Sequence, residues 1–208
     1  MNLTTLDNVL QYMGMVVADA DDTMQAQIQA KIAEVSARAE KYCNREFEKL
    51  ERTEYHDGGG KFLFLRCRPV QSLTSVRWSL FWDFSDGGNN LDILIGLSGA
   101  NFTPITGQAI LYGGIDWYPG EKTIRVVYIA GWDPPPADPN NPPAGYTPIP
   151  SDMEEAICQQ VVYEWRRRND LGLRSVSQPD GTINKMDVGE WLEGVLPTMN
   201  RYRNRYLG

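Results

Sequence analysis

Histidine is almost missing from this chain: His56 is the only one among 208 residues. A single imidazole cannot build an HExxH zinc helix or a histidine-rich metal cage, and it removes most hydrolase triads. Cysteine is scarce as well. Cys43, Cys67 and Cys158 are odd in number and far apart, which reads as reduced, buried thiols and not as a disulfide frame or a zinc knuckle. Basic residues are outnumbered, 20 against 27 acidic, giving a formal net charge of −7. A broad electrostatic affinity for nucleic acid is therefore excluded unless a local patch overcomes the field of the whole. No apolar run approaches the ~20 residues needed to cross a bilayer. The opening residues, Met1 to Asp7, have neither a basic nor an apolar segment of the secretory kind, so the expected compartment is cytosolic.

What is present is ordinary for a folded domain: 42% hydrophobic, 11% aromatic and 23% charged residues. Residues 4 to 13 carry Leu6, Val9, Leu10 and Met13 at helical spacing, with Thr4 or Thr5 as cap and Gly14 as stop. A longer helix is expected from Asp21 or Asp22 to about Asn44, with Met24, Ile28, Ile32, Val35, Ala39 and Tyr42 forming its apolar stripe. Asp19, Asp21 and Asp22 lack the spacing of a calcium loop, and the helix dipole accounts for them.

From Arg52 to Gly131 the period becomes two. Arg52–His56 and Lys61–Arg66 flank Asp57-Gly58-Gly59-Gly60, which reads as a hairpin. Ser72 to Phe84 alternates, with Val76, Trp78, Leu80, Trp82 and Phe84 of one parity. Asp86 to Asn90 is a loop, Leu91 to Leu97 a short apolar run, Gln108 to Tyr112 a strand candidate and Thr123 to Ala130 a strand. Residues 133–150 hold eight prolines and read as an extended connector. A third helix follows, with Ser151 as expected N-cap, Glu154 completing a capping box, and Met153, Ile157, Val161 and Trp165 buried. Asn169 to Gly189 reads as loop or weak hairpin, and Trp191 to Tyr206 as a last helix broken or restarted at Pro197. The fold class expected is α+β: an antiparallel-packed bundle of about four helices with an inserted small antiparallel sheet or hairpin. The expected division is one domain, with a helical core from about 1–48 and 150–208, a β-rich insertion at about 50–132 and the connector at 133–150.

Chemistry is thin along this chain. Gly58-Gly59-Gly60-Lys61 lacks the spacing of a phosphate loop and the hydroxyl residue that follows it. His56 and Asp57, adjacent on a strand, point to opposite faces. No catalytic, cofactor-binding or metal-binding residue is assigned. Arg166-Arg167-Arg168 suits the negative end of a helix. Arg201, Arg203 and Arg205 alternate with Tyr202 and Tyr206, residue types enriched where proteins grip one another. The segment Met199, Arg201, Tyr202, Arg203, Arg205, Tyr206 and Leu207 is accordingly a candidate docking element. Phe81 and Trp82, with the Asn89-Asn90 loop, are candidates for contact with a second polypeptide. A competing reading is a β module stacking Trp78, Trp82, Trp117, Tyr118 and Trp132 on sugar rings. An enzyme would have to rest on Asp57 or Glu121.

The order of the motifs adds to this. Leu3-Thr4-Thr5-Leu6-Asp7-Asn8-Val9-Leu10, then Ala39-Glu40-Lys41-Tyr42-Cys43-Asn44-Arg45-Glu46-Phe47, Thr53-Glu54-Tyr55-His56-Asp57-Gly58 and Leu65-Arg66-Cys67-Arg68-Pro69-Val70 occur in sequence. Trp117-Tyr118-Pro119-Gly120, Val126 to Trp132 and Ile149-Pro150-Ser151-Asp152-Met153-Glu154-Glu155-Ala156-Ile157 complete the series. This succession, over most of residues 3–168, resembles the head–tail connector, or adaptor, proteins of tailed bacteriophages; Leu196-Pro197 and Arg201-Tyr202-Arg203 are similar to the closing helix of that family. The stretch from Phe81 to about Phe102 and the long proline segment depart from it. The resemblance implies a non-enzymatic virion protein of the neck, made in the host bacterial cytoplasm. It would form a ring of about a dozen copies that docks on the portal protein and joins it to a downstream tail or stopper protein. Genomic DNA would pass through the ring without sequence-specific binding, and neither membrane nor cofactor is implied. An acidic wall suits that passage, because it does not hold phosphates.

Overall fold

The computed structural model describes residues 1–60, 62–79, 81, 82, 84, 102–103, 108–112, 119–136, 141–168, 175–178, 181–184 and 190–204. Along the chain they form α1 (Leu6–Tyr12), a 3-10 turn (Val17–Asp19), α2 (Asp22–Cys43), β1 (Leu50–His56), β2 (Phe62–Phe64), β3 (Val70–Trp78) and β4 (Phe102–Thr103). Then come β5 (Gln108–Tyr112), β6 (Ile124–Ala130), α3 (Ser151–Arg166), β7 (Ser175–Gln178), β8 (Gly181–Asn184) and α4 (Leu196–Tyr202). Two units result, one helical, from Met1–Glu46 and Asp133–Gly208, and one of strands, Phe47–Trp132. Four helices with small antiparallel sheets are an α+β fold.

In α1 and α2 the caps do what the sequence asks of them. Thr5 accepts the Asn8 amide at 3.2 Å, and Gly14, at φ 79, ends the first helix. Asp21 accepts the Met24 amide at 2.7 Å, and Asn44, at φ 49, closes α2. Asn44 tolerates the left-handed region better than most residues do. Ile28, Ile32, Val35 and Ala39 are buried as expected, joined by Ser36 and Cys43; Met24 and Tyr42 are only half buried. Ser36 is tolerated inside because its hydroxyl accepts the Leu3 amide at 3.0 Å. Met153, Ile157, Val161 and Trp165 of α3 face the same core, with Leu3, Leu10, Val195 and Met199. Each such side chain contributes roughly 1.5–3 kcal/mol.

One cap is corrected. Ser151 is the first residue of α3 and not its N-cap; Pro150 holds that position, with no side-chain cap bond. Proline presets the dihedral at a helix start and lacks an amide to satisfy. Glu154 is then released from the capping box, and its carboxylate accepts from Asn8 Nδ2 at 2.6 Å, tying α3 to α1.

In the strand unit β6 is central: the order is β1-β6-β3, both pairings antiparallel. Ile124, Val126, Tyr128 and Ala130 alternate inward and meet Leu63, Leu65, Leu73, Val76 and Trp78. The expected hairpin between Arg52–His56 and Lys61–Arg66 does not form, because β1 pairs with β6 and β2 pairs with β5. The glycine turn is instead claimed by the segment before β6: Gly58 donates to the Gly120 carbonyl at 2.9 Å, and Asp57 accepts the Lys122 amide at 2.7 Å. The strand expected from Ser72 to Phe84 ends at Trp78, and register shifts between Val70 and Ser72 and between Leu73 and Ser75 reset its parity. Trp82, expected on the apolar face, is exposed. Gly131 permits the close of the unit: at φ 118 it lies where a Cβ would stand 2.4 Å from the Glu48 carbonyl oxygen.

Candidate functional site

Two surfaces carry the residues singled out by the sequence, and one partly buried network joins His56 to residues it passed over. The network lies in the strand unit. Glu54, two positions before His56 on the same face of β1, has its Oε2 3.0 Å from His56 Nε2. Tyr128 on the facing strand donates its hydroxyl to Glu54 Oε1, and the Arg66 amide donates to the same carboxylate at 3.1 and 3.2 Å. Tyr128 in turn accepts the Cys67 amide at 3.1 Å. Burial works against the Glu54 carboxylate, but the bonds from His56, Tyr128 and Arg66 outweigh it and hold its pKa below the ordinary carboxylate value. Burial and the neighbouring Glu54 push the Tyr128 hydroxyl far up, so it stays protonated and donating. The arrangement knits β1, β6 and the 66–67 segment together. His56 and Asp57 diverge as expected, since Asp57 is engaged by the Lys122 amide. The signal for Glu54 was its two-residue spacing from His56 on an alternating strand.

On the same unit, the segment after β3 presents Phe81 and Trp82, 79% and 61% exposed. Their exposure is built in. Trp82 sits at φ 60, outside the comfortable range for a bulky residue, and its indole Nε1 donates to the Glu121 carbonyl at 3.1 Å. Phe84 is buried behind it, with its ring 5.5 Å from Tyr55 and under the Arg125 guanidinium at 5.1 Å. Arg77 and Arg125 face one another across β3 and β6 and would repel. Both donate to the Phe84 carbonyl, at 3.1 and 3.0 Å, so one acceptor quiets the pair and pins the segment. Asn89 and Asn90 lie outside the described residues, as do the expected loop and apolar run of 86–97.

The C-terminal candidates split by role. Met199 is completely buried in the helical core. Arg201 Nη1 and the Tyr202 hydroxyl both donate to Asp152 at the start of α3, at 2.6 and 2.7 Å. Burial and that carboxylate push the Tyr202 hydroxyl up to about 12. Tyr42 donates to Asn200 Oδ1 at 3.0 Å and lies under the Arg203 guanidinium at 5.3 Å; the Asn204 amide reaches the Cys43 carbonyl at 2.7 Å. Arg201 and Arg203 remain exposed. Arg205, Tyr206 and Leu207 lie outside the described residues. Asp152 escaped the sequence reading, because an acid in a helix's first turn is commonplace.

The arginines that end α3 behave as helix-terminus residues. Arg167 is the C-cap, Arg168 donates to the Trp165 carbonyl at 3.0 Å, and its guanidinium lies 4.2 Å over the Trp165 ring. Within the helical unit the Glu164 side chain is buried, bonded to Arg38 and to Gln160 Nε2 at 2.9 Å, with Lys31 at 3.6 Å. Among the described residues no group of three or more His, Cys, Asp or Glu could hold a metal ion, and no helix is long and apolar enough to cross a membrane. Of the five aromatics a sugar-binding face would use, Trp78 and Trp132 are buried, Trp82 is exposed, and Trp117 and Tyr118 lie outside the described residues.

No protein-family model and no curated protein matches the chain. Solved structures do. A chain from the virion of a native gene transfer agent (GTA) particle superimposes with a TM-score of 0.54 at 15% identity, covering 99% of this chain and 92% of that one. A chain from the neck of an empty GTA particle, computed with C6 symmetry, gives the same 0.54, 15%, 99% and 92%. The class thus defined is one of fold: over 99% of its length the chain is similar in architecture to a component of the GTA particle.

Proposed function

We propose that this chain is a structural, non-enzymatic protein of a virion neck, a head–tail connector whose copies form a ring on the portal. The observation that carries the reading is the fold shared over 99% of the chain with components of a GTA virion and of a GTA neck. The collinear motifs of the connector family support it independently. On this reading the helical unit is the body of one adaptor domain, and the strand unit is its insertion. The exposed Arg201 and Arg203, together with Arg205, Tyr206 and Leu207, meet the portal protein, and Met199 anchors that segment in the core. Phe81 and Trp82 are held outward to meet a neighbouring copy or the downstream tail component. The excess of carboxylates lets DNA slide past.

The test is electron microscopy of the purified chain mixed with its portal. A ring stacked coaxially on the portal is the expected image, and truncation after Asn204 together with Arg201→Glu and Arg203→Glu should remove it without unfolding the protein. Portals that stay bare in the presence of the wild-type chain would refute the reading.

A further inference from the structure

The groove between α1 and α3 has an unusual electrostatic character. Asn8, Gln11 and Tyr12 form one wall and Glu154, Glu155 and Cys158 the other, around an open space of about 360 Å³. Asn8 links the two walls by donating to Glu154, and Tyr12 is half exposed. Neither α1 nor residues 151–159 carry a single basic side chain. Among the described residues no cation pairs with Glu154 or Glu155. The far end of α3 is the opposite. Arg166 is exposed with no carboxylate partner among the described residues, beside the exposed Arg168. Sixteen residues at about 1.5 Å each put roughly 24 Å between the two ends.

From this we infer that the α1/α3 groove receives the arginine-bearing end of α3, led by Arg166, from a second copy of this chain. The groove suits such a guest in each of its parts. The carboxylates meet the guanidinium, and the Tyr12 ring offers it a π face. Acceptor and donor sit at opposite ends of one helix and so cannot satisfy each other within a copy. The contact is therefore heterologous, passing from each copy to the next, which is the geometry that closes into rings. The inference rests on the ring reading above and gives it a specific joint.

Charge reversal tests it on portal-mounted rings counted by electron microscopy, with circular dichroism confirming that each surface variant is folded. Glu155→Arg and Arg166→Glu, each alone, should lower the fraction of portals bearing a ring at least tenfold. An equimolar mixture of the two variants should restore rings, because every joint again pairs opposite charges, and so should the double variant in one chain. Single variants that form rings as well as the wild type would overturn the groove contact and leave the ring reading standing. So would a mixture that fails to rescue. Rings that Glu155→Arg forms away from the portal but cannot seat on it would assign the groove to the portal and overturn the inference. A wild-type chain that gives no ring at all would bring down the ring reading itself.

Discussion

Glu54 gathers three hydrogen-bond partners, His56 on β1, Tyr128 on β6 and the Arg66 amide, and its protonation state should be felt across the strand unit. Folding lowers its pKa below the ordinary 4.5, so the unfolded chain binds the proton more tightly. Its stabilisation is therefore complete above that value and drains away as pH falls through the lower folded one. In urea unfolding followed by tryptophan fluorescence, the gap between wild type and Glu54→Gln should be widest near neutrality and should narrow in the acid range. A gap independent of pH would contradict this. Gly131 makes a second prediction. Gly131→Ala places a methyl against the Glu48 carbonyl at a positive φ, and should cost at least about 2 kcal/mol in the same assay. The sequence shows His56 as a lone histidine at a strand end, but it shows Tyr128 only as one more aromatic. What makes Tyr128 matter is the β1–β6 register, opposite Arg52, and register is set by pairing across more than 70 residues.

At the scale of elements, the helices are the legible part. The stripe Ile28, Ile32, Val35, Ala39 and the caps Thr5, Asp21 and Asn44 are local patterns, each enforced by neighbours within a turn. Sheet pairing is not local. Arg52–His56 and Lys61–Arg66 have the composition of a hairpin, yet β6 offers a longer inward row of Ile124, Val126, Tyr128 and Ala130, and both β1 and β3 take it as their partner. The bulges in β3 and its end at Trp78 were hidden for the same reason: an alternating sequence does not mark where its partner strand stops. The two helix starts give a discriminating measurement. Asp21→Ala should cost about 1 kcal/mol, whereas Ser151→Ala should stay within about 0.5 kcal/mol, since Ser151 makes no cap bond. Glu164→Leu should cost about 3 kcal/mol or more, because it leaves Arg38 and Gln160 without their buried acceptor. Thermal unfolding by circular dichroism reads all three.

For the whole molecule, the acidic balance of −7 predicts that the chain gives no shift of duplex DNA in a gel at physiological salt; retardation at submicromolar protein would contradict the proposed passage for sliding DNA. The candidate surfaces were legible in part. The alternation of Arg and Tyr at the C-terminus and the aromatic pair at 81 and 82 are visible in the letters. That Met199 is an anchor, that Asp152 holds Arg201 and Tyr202, and that Trp82 is held outward by Glu121 depend on contacts 39 to 50 positions apart, or on burial. The account as a whole stands on the chain being a part of the particle. Cryo-electron microscopy of intact particles from the producing host tests this most directly. It should reveal a ring between portal and tail whose subunit density fits this α+β fold, and tailed, DNA-filled particles with that position filled by another protein would contradict it.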